Sequence, residues 1–245
     1  FSVEYGVNTD FNRTEEPRAY YHKLDLSVSK EFWGPYTGVL SGGLNYMSLD
    51  NAVTRATNRD EYFTYRDLTV TVMRTWKSQA LNHSLAGMVG QDILLSEESR
   101  FLGYKSVTSG QAIYTWSPNK RFSLKNTLLG GYILNTYKYA PVTAGRSIRK
   151  NQINPDGYYG YAVGPMVTLM KGLKIGASLV VRGTHYLDNS NLYDFGNHFS
   201  LTYSRGAWMA YTRYVNRGWA DRGETNLWFA DNYRRLLQAG AVYNF

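Results

Sequence analysis

The residues of this chain that could do chemistry are mostly charged, and they recur on one side of alternating stretches. Lys23, Lys105, Lys125, Lys174, Arg182 and Arg213 are the basic members; Glu4, Asp10, Asp25, Asp67 and Asp92 are the acidic ones. In each stretch apolar and small polar residues take turns, so successive side chains point to opposite faces and the charges collect on the polar face. Charged groups so placed must pair or stay hydrated. They could form a network of ion pairs that stiffens a wall, or a ladder that passes small anionic solutes along a wet path. The acids come mostly from the first five stretches, and Lys125, Lys174, Arg182 and Arg213 from the seventh, ninth and eleventh. That distribution predicts a basic arc facing an acidic one, with a transverse field between them.

A nucleophile is the other candidate. His198 and Ser200 are two residues apart, so on a strand they share a face, and the imidazole could serve as base for the hydroxyl. An activated serine also needs a group that orients the histidine, and the sequence identifies none. His83 and Ser84 fall on opposite faces, and His185, near Asp188, reads as interfacial. The chain has no Cys, which removes disulfide and thiol chemistry. No Gly-rich phosphate loop, nucleotide motif or metal-ligand spacing is present. Neither a cofactor nor a metal is expected, and no catalytic residue is assigned.

The elements that must position these groups are strands. Alternation runs through 2–11, 20–29, 37–49, 62–75, 80–95, 104–116, 122–137, 158–170, 173–186, 195–203, 208–215 and 235–245. Leu24, Leu26 and Val28 oppose Lys23, Asp25 and Ser27; Leu124 and Leu128 oppose Lys125 and Thr127. Twelve strands is an even number, as single-chain bacterial barrels require. Long polar connections follow the odd-numbered strands and short turns, such as 76–79, 117–120 and 171–172, follow the even ones. Both termini therefore fall at the short-turn end. No stretch has a helical period and no linker divides the chain, so residues 1–245 are expected to form one domain. No secretory signal stands at Phe1, the expectation for a mature or trimmed chain.

Composition agrees with strands in a membrane. Of the 245 residues, 43% are hydrophobic and only 19% charged, low for a soluble surface. Tyr is over-used at 22 copies, beside 23 Gly and 6 Pro. No run approaches the roughly 18 apolar residues a transmembrane helix needs, but in a barrel only alternate residues meet lipid. The apolar faces carry bulky residues on nearly every strand, while the opposite faces are rich in Gly, Ser, Thr and Asn. Small polar residues cannot fill a core but can line water, which argues against a soluble barrel with a Tyr-rich interior. Trp33, Trp76, Trp116, Phe122, Trp208, Tyr243 and Phe245 fall near short-turn ends. Phe11, Tyr20, Tyr46, Tyr62, Tyr132 and Tyr186 fall near long-loop ends, giving two girdles. The net charge of +8 points to anionic solutes or headgroups in a barrel; nucleic acid is not an expected partner.

The last stretch carries a resemblance. Leu237, Ala239, Ala241, Tyr243 and Phe245 form one wholly apolar face that ends on an aromatic residue. This resembles the closing strand of Gram-negative outer-membrane β-barrels. The resemblance implies an all-β, transmembrane, antiparallel up-and-down barrel of about twelve strands in the cell outer membrane. It would have periplasmic termini, with outer-membrane lipid and lipopolysaccharide around it. It also implies that the last strand pairs with the first and is read by the barrel assembly machinery. Eight strands leave only side-chain room and sixteen leave a channel, so twelve suggest a narrow, porin-like passive path for small solutes, with anionic ones favoured. Two alternatives stay open. One is a structural or partner-binding barrel presenting its outer loops, 138–157 and 216–234 with Trp219 and Trp228, to another envelope protein. The other is a lipid hydrolase, since His198-Phe199-Ser200 resembles the His-x-Ser arrangement of outer-membrane lipid hydrolases, although here that face is the polar one. Asp188, Asp194 and Asp221 are read as outer-loop charges.

Overall fold

The computed structural model describes residues 1–11, 19–49, 61–78, 82–96, 99, 103–139, 153–219 and 235–245. Its strands are β1 (Ser2–Phe11), β2 (Ala19–Phe32), β3 (Tyr36–Leu49), β4 (Glu61–Tyr65), β5 (Leu68–Ser78), β6 (His83–Ile93) and β7 (Tyr104–Trp116). They continue with β8 (Phe122–Asn135), β9 (Pro155–Met170), β10 (Leu173–Tyr186), β11 (Asn191–Arg205), β12 (Trp208–Trp219) and β13 (Arg235–Asn244). Neighbours in the chain pair antiparallel around the sheet, and β1 pairs with both β2 and β13. Both β4 and β5 pair with β3, over Leu44–Ser48 and Tyr36–Ser41. They are two halves of one wall strand interrupted at Arg66 and Asp67, so the sheet closes as a twelve-stranded antiparallel barrel. Closure gives every wall strand a ladder on both sides except along β4, which among the described residues pairs with β3 alone; a closed sheet is the condition for spanning a membrane with strands.

At the seam, Ser2 faces Asn244 and Tyr5 faces Ala241, and the Phe245 N–H donates to the Phe1 carbonyl at 3.0 Å. Both chain ends thus sit at the end that carries the short turns. Two of these, Lys171-Gly172 and Gly206-Ala207, are only two residues long. Gly172 has φ 84°, in the left-handed region that only glycine enters at low cost, and a Cβ there would collide with the Ser204 carbonyl.

The pairing also moves several boundaries. β5 runs on through Trp76 to Ser78, which pairs with His83, where the sequence suggests a turn at 76–79. β9 begins at Pro155, β11 at Asn191 and β12 continues to Trp219. Polar residues remain in a strand when a neighbour supplies the ladder, so polarity alone ends these strands too early. Leu81, Asp221, Trp228 and the centres of the two longest connections lie outside the described residues.

The apolar groups face outward. Among the described residues only Ile133 and Val215 are buried hydrophobics, whereas Leu26, Val89, Leu128 and Leu179 are each more than half exposed. Cross-strand pairs such as Leu24–Leu44, Val72–Val89 and Ala112–Leu128 make the belt continuous around the wall. At about 25 cal/mol per Å², such a belt is strongly unfavourable in water and suited to hydrocarbon. Several polar atoms that face outward satisfy one another. Tyr5 hydrogen-bonds His22 (2.9 Å), Tyr161 donates to Asn126 (2.6 Å), Tyr159 donates to Tyr193 (3.1 Å), and Tyr114 contacts His83. Unpaired groups would cost several kcal/mol each in lipid. At the short-turn end Trp208, Tyr243 and Phe245 pack in sequence, the first pair tilted and the second edge-to-face, with centroids 4.7 and 4.6 Å apart, as an interfacial girdle does. The molecule is a transmembrane β-barrel.

Candidate functional site

The small and polar faces of the strands enclose two cavities. The larger, about 740 Å³, is lined by Glu4, Lys23, Arg66, Lys174, Tyr211 and Arg213, among others. These come from β1, β2, the β4–β5 break, β10 and β12, on both sides of the seam, so the cavity can only be interior. The smaller, about 440 Å³, is lined by Tyr158, Arg182, Asp194 and His198 together with Thr71 and Gln111 from β5 and β7.

In the larger cavity charge is partly balanced. Asp25 accepts from both Lys23 and Arg66. The Tyr211 hydroxyl donates to Glu4 Oε1 at 2.7 Å. That ring lies flat along the wall because Gly240 is beneath it: a Cβ at Gly240 would stand 2.6 Å from the phenol oxygen. Lys174 and Arg213 differ. The register sets Lys174 between Thr202 and Thr168, and Arg213 between Ser200 and Gln238, all neutral. Among the described residues no carboxylate pairs with either. Among the described residues, four bases therefore share this space with Glu4 and Asp25 alone, and the low local dielectric makes that surplus felt at longer range than in water.

The smaller cavity is built on stacking. The Arg182 guanidinium lies 5.1 Å over the Tyr158 ring. Tyr158 in turn covers Gly131, where a Cβ would come within 2.5 Å of the ring. Asp194 stands directly across the ladder from Arg182, and Arg182 Nε is buried with no hydrogen-bond partner. His198 lies opposite Ser178 and Val215, and Ser200 opposite Gly176 and Arg213. His198 and Ser200 share the interior face, as their spacing predicts. That places the wall between them and lipid, the wrong side for a hydrolase whose substrate is in the membrane.

The remaining sequence candidates take varied positions. Lys125 is on the interior face of β8 between Thr115 and Gly164, exposed, and lines neither cavity. Asp92, also interior, accepts from Thr69 at 2.7 Å. Asp67 and Lys105 leave the alternation. Asp67 is in the break between β4 and β5, and its carboxylate holds the chain after β6, accepting from Ser96 N at 2.6 Å and Ser99 Oγ at 2.5 Å. Lys105 is the residue skipped at a β-bulge between Tyr104 and Ser106, where the period of two slips. Leu237, Ala239, Ala241 and Tyr243 face outward opposite Tyr214, Thr212, Ala210 and Trp208. His185 pairs with Asp156 at 2.5 Å rather than with Asp188. Asp188 organises the turn 187–190: the Ser190 hydroxyl (2.6 Å) and N–H (3.0 Å) donate to it and hold its carboxyl below the usual range.

Four lining residues escaped the sequence reading. Arg66 enters through the strand break, which has no sequence signature. Tyr158 and Tyr211 belong to the polar faces of their strands but are large, so they do not resemble the small residues around them. Asp194 was legible, since it shares parity with Gly196 and His198. The arcs also mix: Lys23 and Arg66 bring positive charge to the acidic side and Asp194 brings negative charge to the basic side. The charge pattern is local pairing around an unpaired Lys174 and Arg213, not two opposed arcs.

Comparison with known proteins gives the fold. No protein-family model matches the chain, and no curated protein matches it. Solved structures do. A KdgM porin is similar over 100% of this chain and 99% of its own, with TM-score 0.57 and 10% identity. A NanC porin is similar over 98% and 100%, with TM-score 0.57 and 10% identity. An outer-membrane channel from Pseudomonas putida F1 is similar over 99% and 94%, with TM-score 0.64 and 12% identity. The chain has the fold of outer-membrane barrel channels over its full length.

Proposed function

We propose that residues 1–245 act as one outer-membrane domain, a narrow passive channel for small acidic solutes, with its short turns and both chain ends in the periplasm. The observation that carries this reading is the 740 Å³ interior cavity. In it Lys174 and Arg213 meet only neutral neighbours across the ladder. Unneutralised bases in a confined aqueous path raise the local concentration of anions and exclude cations. Lys23 and Arg66 are balanced in part by Asp25 and Arg182 by Asp194 across the ladder, so the surplus of positive charge is concentrated at Lys174 and Arg213. One structural neighbour, a KdgM porin, has been solved in complex with disordered oligogalacturonate, a carboxylate-bearing oligosaccharide, which supports an acidic solute class here. The test is a reversal potential for the purified protein in a planar bilayer under a salt gradient. Anion selectivity is expected, and a properly inserted protein that carries no current would overturn the reading.

The outward face of β13 fits a role in assembly. Leu237, Ala239, Ala241, Tyr243 and Phe245 would be read by the barrel assembly machinery, lipopolysaccharide would meet the long-loop end, and the long loops would carry any protein partner. Phe245→Lys is then expected to lower the amount of barrel in the membrane while leaving the conductance of assembled molecules unchanged.

A further inference from the structure

One base on this barrel faces the wrong way. In β5 the outward residues are Val70, Val72, Arg74 and Trp76, as their partners Gln91, Val89, Gly87 and Leu85 on β6 require. Arg74 therefore points away from the lumen, into the membrane-facing belt, four residues from the short-turn end of its strand. A cation on this face must find a counter-charge or a polar shell. The structure supplies only part of one. The guanidinium lies between two rings, 4.8 Å from the Trp76 centroid and 5.2 Å from that of Tyr36, and Nη1 donates to the Tyr36 hydroxyl at 3.2 Å. Its Nε is buried without a hydrogen-bond partner, and no carboxylate among the described residues pairs with it. Ring faces orient a guanidinium and tolerate its charge; they do not neutralise it.

Beside Arg74 the wall is hollow. Gly87, Gly110, Ala112 and Gly130 are the outward residues of three adjacent strands, with Gly110 directly across from Gly130. Outward Gly183 is covered by Tyr159 and Gly38 by Phe32, but a Cβ at Gly110 would meet only the Met88 carbonyl, at 3.9 Å. Val89 and Leu128, 61% and 60% exposed, rise on either side. The result is an open apolar trough of about 580 Å³ that begins at Arg74, Tyr36 and Trp76 and runs up the wall between Val72 and Leu128.

We infer that this trough and Arg74 form a specific site for one anionic phospholipid of the leaflet at the short-turn end. The phosphate sits on the guanidinium at the level of the aromatic girdle, and an acyl chain lies in the glycine trough. The charge fixes the class of occupant, because a second copy of this chain would bring its own Arg74 to a two-fold interface or a neutral belt to any other. The girdle fixes the depth, since Trp76 and Tyr36 mark the interface where phosphates lie. The shape accounts for the chain, since a flexible methylene run fills a hollow that no protein side chain fills. The inference rests on the membrane reading of the outer face and is independent of whether the lumen conducts.

The test uses the whole protein in nanodiscs of phosphatidylcholine with a minor share of phosphatidylglycerol, followed by gentle release and native mass spectrometry of lipid adducts. Entry into nanodiscs reports the membrane reading first, whatever happens at Arg74. The wild type is expected to retain one phosphatidylglycerol in preference to phosphatidylcholine. Arg74→Gln should retain phosphatidylglycerol about tenfold less, the size of one charge-assisted hydrogen bond to the phosphate, and should lose the preference over phosphatidylcholine, whose choline cation offsets its phosphate. Gly110→Leu, which fills the trough without touching the charge, should lower retention of both lipids. Equal retention of the two lipids by the wild type, or an unchanged preference in Arg74→Gln, would overturn the site. So would a wild-type dimer dissolved by Gly110→Leu, since the trough would then hold a second copy.

Discussion

In one half of the lumen, Lys174 and Arg213 have only hydroxyl and amide neighbours in the register; in the other, Arg182 faces Asp194 across the ladder and lies on Tyr158. Both regions carry arginine on β-strands of the same wall, and both open to water. They differ in what antiparallel pairing places opposite the base. A neutral residue leaves the field of the cation in the cavity. A carboxylate confines it to one rung, and an aromatic ring holds the side chain against the wall. The lesson is that the electrostatic character of a barrel lumen is set rung by rung. A count of lysines and arginines on the polar faces does not separate a base that meets a carboxylate across the ladder from one that does not.

The sharpest way to break this comparison is to reverse the unpaired bases. Lys174→Glu with Arg213→Glu should invert the sign of the reversal potential. It should change the anion-to-cation permeability ratio by on the order of fivefold, as about 1 kcal/mol of lost attraction implies. An unchanged reversal potential would show that the path of the ions avoids this cavity. Next in size is the paired region. Arg182→Ala and Asp194→Ala should shift selectivity in opposite directions, toward cations and toward anions, by roughly twofold each given a pair partly screened by water. The double variant should return close to wild type, and non-additivity in that cycle measures the coupling directly. Raising the salt to about 1 M, where the screening length is roughly 3 Å, should erase the effect of Lys174 and Arg213 more than that of the Arg182–Asp194 rung. The smallest expected change is at Tyr211. Tyr211→Phe removes the donor to Glu4 and should lower stability in denaturant by about 1 kcal/mol, with a slight drift toward cations as the carboxylate is freed.

Much of the architecture was legible because the period of two is strict wherever one face meets lipid. In β2, β8 and β10 a single slip would turn Leu24, Leu128 or Leu179 inward and expose Lys23, Lys125 or Arg182 to hydrocarbon, so the register is heavily specified. Where the reading failed, the cause was a departure from that period or a boundary set by a partner strand. Asp67 and Lys105 sit at a break and a bulge, features of pairing geometry that the local sequence does not announce. Asp194 reads as a loop charge because Asn191 and Asp194 are polar, yet β10 provides a ladder for both and β12 a second one for Asp194. Arg74 shares the parity of Val70 and Val72, so the sequence itself marks it as a charge on an otherwise apolar face. The surplus of positive charge was visible in the sequence, but its location was not, since that depends on which residue each base meets across the ladder.

Gly131 and Gly240 bear on the aperture of the barrel. Each lies under the flat ring of a tyrosine, Tyr158 or Tyr211, that would collide with even a methyl group there. With the glycine present, a ring folds back along the wall and the free cross-section is widest. Given a side chain at that position, the ring must swing toward the barrel axis, and a narrow bore loses much of its area to one rotated phenol. The calibre of this barrel is therefore held open by residues that have no side chain at all. Gly131→Ala would act as a constriction placed without adding a single charge.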